Sequence, residues 1–181
     1  MLSSKITTAL LALVGSAAAV CPAATRQASA EQVIYSYNLN SDTAAAAGFA
    51  KVPWGDPDTA GGCYTVIIAD GACPIPVATT GTGTYEFAVE SRQVFSHLTG
   101  QYTNFDNGTT LITTVVTLGH QTTVGTVPIP VSFIGYVYMD YDDNCRIYQA
   151  RAYARVPYQV LQETFAAVNL NLPAPVCGAE P

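Results

Sequence analysis

An α+β fold, with helices packed on one face of a curved antiparallel sheet, is predicted by three features of the sequence. The first is VSFIGYVYMDYDDNCRIYQARAYARV, from Val131 to Val156, which reads as two long strands joined by the acidic turn Asp142-Asp143-Asn144. Val131, Phe133, Val137 and Met139 alternate with Ser132, Tyr136, Tyr138 and Asp140, the two-residue period of a strand whose faces differ, and after the turn Ile147, Tyr148 and Tyr153 resume a β-rich composition. The second is YQVLQETFAAV, opened by Pro157, with Val160, Leu161 and Phe165 at helical spacing. The third is the order of elements: helices, a strand, a helix, then a meander of strands.

Taken in order, the stretch from TRQASAEQVIYSYNLNSD to Phe49 forms two helical pieces, with Ser41-Asp42 as a cap before the alanine-rich TAAAAGFA. Lys51 to Gly62 is a loop of prolines, glycines and aspartates, and Cys63 to Ala69 a short buried strand. Gly71 to Gly83 is irregular. From Thr84 a helix sets Phe87, Ser91, Phe95 and Leu98 on one stripe, with Ala88 and Val94 beside it. Gln101 to Phe105, Thr109 to Leu118, Val131 to Tyr141 and Cys145 to Val156 complete the sheet. No linker divides the chain, so residues 20–168 make one domain and residues 169–181 a Pro-containing tail.

Residues 1–19 carry Lys5, the apolar run ALLALVG and the small-residue stretch SAAA, the pattern of a secretory signal cleaved before Val20. The expected destination is extracellular. The formal charge is −6, one unit more negative once Lys5 leaves, which excludes nucleic acid and anionic membrane as partners. Five cysteines on an oxidising route point to disulfides rather than metal, and no metal or cofactor site is expected. Cys63 and Cys73 flank one strand and are candidates to staple it, while Cys145 and Cys177 are candidates to pin the tail. Cys21 is then the odd thiol. Asn107-Gly108-Thr109 is an acceptor sequon for N-linked sugar and also an Asn-Gly hairpin turn, and each reading stands without the other.

The ending Tyr141-Asp142-Asp143-Asn144-Cys145-Arg146-Ile147, followed by Ala152-Tyr153, is similar to that of the superfamily containing nuclear transport factor 2, ketosteroid isomerase, scytalone dehydratase and the SnoaL-like polyketide cyclases. LNSDTAAAAGFA resembles its second supporting helix, and SRQVFSHLTG the helix leading into its meander. The resemblance implies a cone-shaped antiparallel sheet on N-terminal helices, with a cavity between them, and no single reaction. Position by position, Val137 stands where the isomerases carry a protonated acid, and Ala154 where some members carry a tryptophan. Asp70 ends YTVIIAD where those enzymes place a general base, although Asp70-Gly71 also satisfies an ordinary turn. His97 resembles the dehydratase histidine, and its second histidine is met only imperfectly by His120. Tyr35 and Tyr37 lie near the dehydratase's first-helix tyrosine, with Leu39 where its acid would stand.

If Val137 points inward, so do Phe133, Gly135, Met139, Ala150, Ala152 and Ala154. Such a wall either encloses a small apolar molecule or lets the helices approach closely. Tyr136, Tyr138, Gln149, Arg151 and Tyr153 then form the opposite face, a candidate homodimer surface. Two functions follow. One is a secreted, cofactor-independent isomerase, dehydratase or cyclase acting on a polyketide- or terpenoid-like substrate, with Asp70 as base, His97 as acid or base and Tyr35 or Tyr37 as hydrogen-bond donor. The other is a secreted carrier, effector or surface protein without a working site. A serine hydrolase has no Gly-x-Ser-x-Gly elbow to support it.

Overall fold

The computed structural model describes residues 21–122 and 125–178. The predicted signal and its cleavage point before Val20 lie outside the described residues, as does the end of the tail. Helix α1 spans Ala23–Tyr37 and α2 Asp42–Phe49. Strand β1 (Tyr64–Asp70) and the short β2 (Ile75–Ala78) precede α3 (Gly81–Ser91), which runs through one turn of 3-10 helix into β3 (Phe95–Leu98). Strands β4 (Gln101–Asn104), β5 (Thr109–Thr122), β6 (Gly125–Tyr141) and β7 (Ile147–Pro157) follow, and α4 (Tyr158–Ala166) closes the domain.

Short polar side chains set the helix ends. Ser41 accepts a hydrogen bond from the Ala44 amide and Thr80 from the Gly83 amide, each satisfying an otherwise orphaned donor. At the end of α1, Asn38 donates through its side chain to the Ile34 and Leu98 carbonyls and accepts from the Leu98 amide, which fixes the helix to β3.

The sheet departs from the cone-shaped, wholly antiparallel form. Its order is β2-β1-β7-β6-β5-β3, with β4 also on β5, an open path whose ends do not pair. The sheet is also mixed, because β1 runs parallel to β7 from Tyr64↔Gln149 to Ala69↔Ala154. The direction is set before β1 begins: Trp54 already bridges Ile147 in parallel, and the Ile147 amide donates to the Pro53 carbonyl. Two-residue alternation reports which face a side chain takes and says nothing about strand direction.

Two further elements differ from expectation. The helix predicted to continue to Leu98 stops at Ser91, because Phe95, His97 and Leu98 pair with β5 at Leu118, Thr117 and Val116. Residues Ile75–Ala78, read as irregular, form an edge strand despite Pro76, as proline is tolerated at a sheet edge. Between β6 and β7 the register shifts, with Asp140 opposite Gln149 and Tyr141 opposite Ile147. Tyr148 is therefore the extra residue of a bulge, leaving Ile147 in the core and Tyr148 exposed.

The disulfides are Cys21–Cys145 and Cys73–Cys177, which corrects both expected partnerships. Cys63 cannot reach Cys73, since β1 separates them by roughly 23 Å of extended chain, beyond the ~7 Å a disulfide spans. Cys63 is instead a free, fully buried thiol beneath Thr84, whose hydroxyl lies 3.4 Å away. Cys145, at φ 61°, turns toward the start of α1, and the tail returns to β2 where the Val176 amide donates to the Pro74 carbonyl.

Buried polar groups complete the anchorage of α1. Arg26 donates to the Cys21 carbonyl at 2.6 Å and the Phe105 carbonyl at 2.7 Å, and the Tyr141 hydroxyl donates to the Arg26 carbonyl at 3.1 Å. Burial pushes the Tyr141 phenol up to about 12, above its ordinary value of 10.0. A raised folded-state value means that the stability it contributes is complete below the unfolded value and is lost as pH rises through the folded one. Urea denaturation between pH 9 and 12 is expected to show stability falling from about pH 10 upward, and Tyr141→Phe to flatten that fall. Replacing Cys73 and Cys177 together by serine should lower stability by about 5 kcal/mol, as expected for a loop of some 100 residues, measurable by the same method.

Candidate functional site

The inward positions of β6 and β7 end in small or medium side chains, and the helices do not fill the space above them. Phe133, Gly135, Val137, Met139, Ala150, Ala152 and Ala154, the residues expected to face inward, all line a cavity of about 150 Å³. From β5 and β1 come Ile112, Thr114, Val116, Thr65 and Ile67. The opposite wall is Tyr37 with Val33 and Ile34 of α1, Phe87 and Ser91 of α3, and Leu161 and Phe165 of α4. Aromatic edges hold these elements together: Tyr37 meets Phe49 at 4.8 Å and Phe95 at 5.6 Å, while Phe165 stacks on Phe87 at 6.1 Å. Gly135 is needed for the space, since a Cβ there would lie 3.0 Å from Thr114 Cγ2.

Among the described residues, no carboxylate or imidazole lines this cavity. Its polar groups are hydroxyls. Tyr37 and Ser91 share a hydrogen bond of 3.1 Å, and Thr65 and Thr84 one of 2.8 Å. Burial raises the Tyr37 phenol above its usual range, so it stays protonated at neutral pH.

The expected catalytic set does not assemble. Asp70 is exposed at the end of β1, where Gly71 at φ 79° turns the chain away, and its carboxylate sits 3.6 Å from the guanidinium of Arg155. His97 is exposed on β3, and Tyr35 is 58% exposed on the outer side of α1. The side chain of His120 lies outside the described residues. Only Tyr37 of the four reaches the cavity. Other lining residues escaped the sequence reading, Thr114 and Trp54 among them. Thr114 falls between Ile112 and Val116 and could have been found by extending the alternation of β5, whereas Trp54 lies in a Pro- and Gly-rich loop with no period to read.

Trp54 separates the cavity from a surface groove lined also by Val52, Pro53, Pro57, Tyr85 and Arg146. Its indole donates to the Phe49 carbonyl at 3.1 Å. The loop that carries it is fixed by backbone contact: a Cβ on Gly55 would sit 1.9 Å from the Gly62 carbonyl oxygen, so no larger residue fits.

On the outer face Tyr138 meets Tyr153 edge-on at 5.7 Å, and Arg151 lies 5.8 Å above the Tyr138 ring. Arg151 also pairs with the buried Asp140 at 2.6 Å, whose other oxygen accepts from Thr109 at 2.6 Å. The paired Val115 and Ile134 are each 46% exposed on this face. Asn107 is exposed in the β4–β5 turn, with Gly108 at φ 89°, and the sequon threonine is the same Thr109 that holds Asp140. Among the described residues no cluster of metal-ligating side chains occurs, and no helix is long and apolar enough to cross a membrane.

No protein-family model and no curated protein matches the sequence. Solved structures do match. A de novo designed protein with a curved β-sheet aligns with a TM-score of 0.52 at 9% identity, over 81% of this chain and 99% of its own. A candidate isomerase from Bacillus subtilis aligns at 0.49 and 12% identity, over 79% and 94%. A candidate SnoaL-like polyketide cyclase from Jannaschia sp. CCS1 aligns at 0.47 and 10%, over 79% and 91%. The likeness is one of fold. It carries neither a family nor a reaction with it.

Whether the space is truly empty can be measured. Ala152 is only partly buried although it faces inward, so lengthening it adds apolar atoms to the void. Ala152→Val is expected to leave the unfolding free energy unchanged or raise it by up to about 1 kcal/mol. A loss of about 1–3 kcal/mol in urea denaturation would instead indicate a filled core.

Proposed function

We propose that the protein binds a small apolar molecule in this cavity and acts outside the cell as a carrier rather than a catalyst. The observation that supports it most directly is a wall of aliphatic and aromatic side chains around about 150 Å³, with no charged group. An apolar cavity of roughly that volume holds a benzene-sized molecule, while drug-sized ligands occupy about 300 Å³ or more. The ligand is therefore a single ring or a short branched chain, smaller than a multi-ring polyketide. Proton-transfer catalysis of the isomerase, dehydratase or cyclase kind needs an acid or base poised near neutral pH. Tyr37 is a titratable group at hand, and its raised phenol is neither.

The extracellular setting accords with two disulfides, which persist on oxidising routes. An N-linked sugar at Asn107 would project from an exposed turn. The outer sheet face, with Tyr136, Tyr138, Arg151 and Tyr153 beside the exposed Val115 and Ile134, is proposed to pair two copies of the chain.

The single tryptophan, Trp54, lines the cavity and reports its occupancy. Titrating toluene should change its fluorescence saturably, and Gly135→Leu, which adds bulk beside Thr114, should abolish the change. Tyr37→Phe should bind within a few-fold of the wild type; a catalytic role would gain ground only if that variant lost turnover of a compound the wild type converts. For the dimer, sedimentation velocity is expected to give twice the chain mass, reduced to one by Ile134→Glu. A monomer at tens of micromolar would remove that proposal.

A further inference from the structure

We propose that the cavity's ligand carries a carbonyl-type oxygen, as in a small cyclic or aryl ketone or aldehyde, which accepts a hydrogen bond from Thr114. This rests on the ligand-binding reading above and specifies the class of ligand.

The argument is an inventory of protons. A hydroxyl donates once, so each cavity hydroxyl can be followed to where its proton goes. Ser91 donates to the Ala88 carbonyl at 3.3 Å, leaving the Tyr37 hydroxyl to donate to Ser91. Thr84 donates toward the Cys63 carbonyl at 3.5 Å, leaving Thr65 to donate to Thr84. Both chains end on backbone carbonyls, and neither has a proton to spare. Thr114 differs. It is 2% exposed, it lines the same cavity, and its hydroxyl has no hydrogen-bond partner among the described residues.

An unpaired buried hydroxyl is costly, and native structures retain one where something else completes it. The strand neighbours that share its face, Ile112 and Val116, offer no acceptor. Across the sheet its partner is Gly135, where a side chain would touch Thr114 Cγ2 first and find its next neighbours only at 3.7 Å. The missing side chain at Gly135 thus spares Thr114 from crowding on that side, at a cavity hydroxyl whose proton has no acceptor among the described residues. A carbonyl oxygen needs only the single donor, and the rest of its molecule meets hydrocarbon.

The test compares ligands of one shape that differ in that oxygen: cyclohexanone against methylenecyclohexane, titrated by Trp54 fluorescence and calorimetry into the wild type, Thr114→Val and Thr114→Ser. Valine keeps the shape of threonine and removes the donor, so its fold is not at risk. The ratio of ketone to alkene affinity is expected to fall about tenfold in Thr114→Val, the worth of one neutral hydrogen bond, and to recover in Thr114→Ser. The bound ketone's carbonyl stretch should sit at lower frequency in the wild type than in Thr114→Val. Equal ratios in wild type and valine variant, with both compounds binding, overturn the carbonyl assignment and leave the apolar cavity standing. Failure of both compounds to bind the wild type overturns the cavity reading and this inference with it.

Discussion

In the middle of β7 the side chains turned toward the helices stop at Cβ. Ala150, Ala152 and Ala154 lie on a strand held between β1 and β6, and Gly135 extends the same low wall onto β6. The helices cannot sink onto that wall because their own large residues meet first: Tyr37 rests against Phe49 and Phe95, and Phe165 against Phe87. The ring contacts therefore act as spacers. Atoms facing the void give up dispersion partners on one side, a cost that the surrounding framework has to offset. Two disulfides and the Asn38 and Arg26 anchors tie α1, the tail and the final hairpin together around the space.

Charge is spent on that framework and kept away from the cavity. Arg92, 1% exposed, is held by Asp42 and the Leu39 carbonyl at the α1–α2 junction, and burial draws its pKa below the ordinary value. Arg26 binds two carbonyls. Arg151 and Asp140 pair on the outer face. The interior that remains is neutral, and its polar atoms are hydroxyls whose protons can be followed one by one. That separation underlies the binding role proposed above.

The final hairpin was the most legible part of the sequence, and the reason is geometric. Strands β6 and β7 have unlike faces, so one correct inward assignment at Val137 carries every other residue of the pair with it. The same logic assigns seven cavity residues from the sequence. It failed where information is not local. The parallel β1–β7 contact depends on a loop at Trp54 meeting Ile147, and disulfide partners depend on where strand ends come to lie. Asp70 and His97 were misplaced for a related reason: at the end of a strand, or where a helix gives way to one, a single residue decides between interior and solvent. Thr114 was hidden in TTLITTVV, where threonine and valine on both faces blur the pattern.

The two disulfides overlap along the chain, Cys21–Cys145 enclosing Cys73 and Cys73–Cys177 enclosing Cys145. Every peptide bond between Cys21 and Cys177 thus lies inside at least one covalent ring. A protease that nicks any one of them, in the exposed loop at Asp58 or in the tail beyond α4, releases no fragment. The molecule would survive a first cleavage in one piece, and only a second cut or a reductant could take it apart.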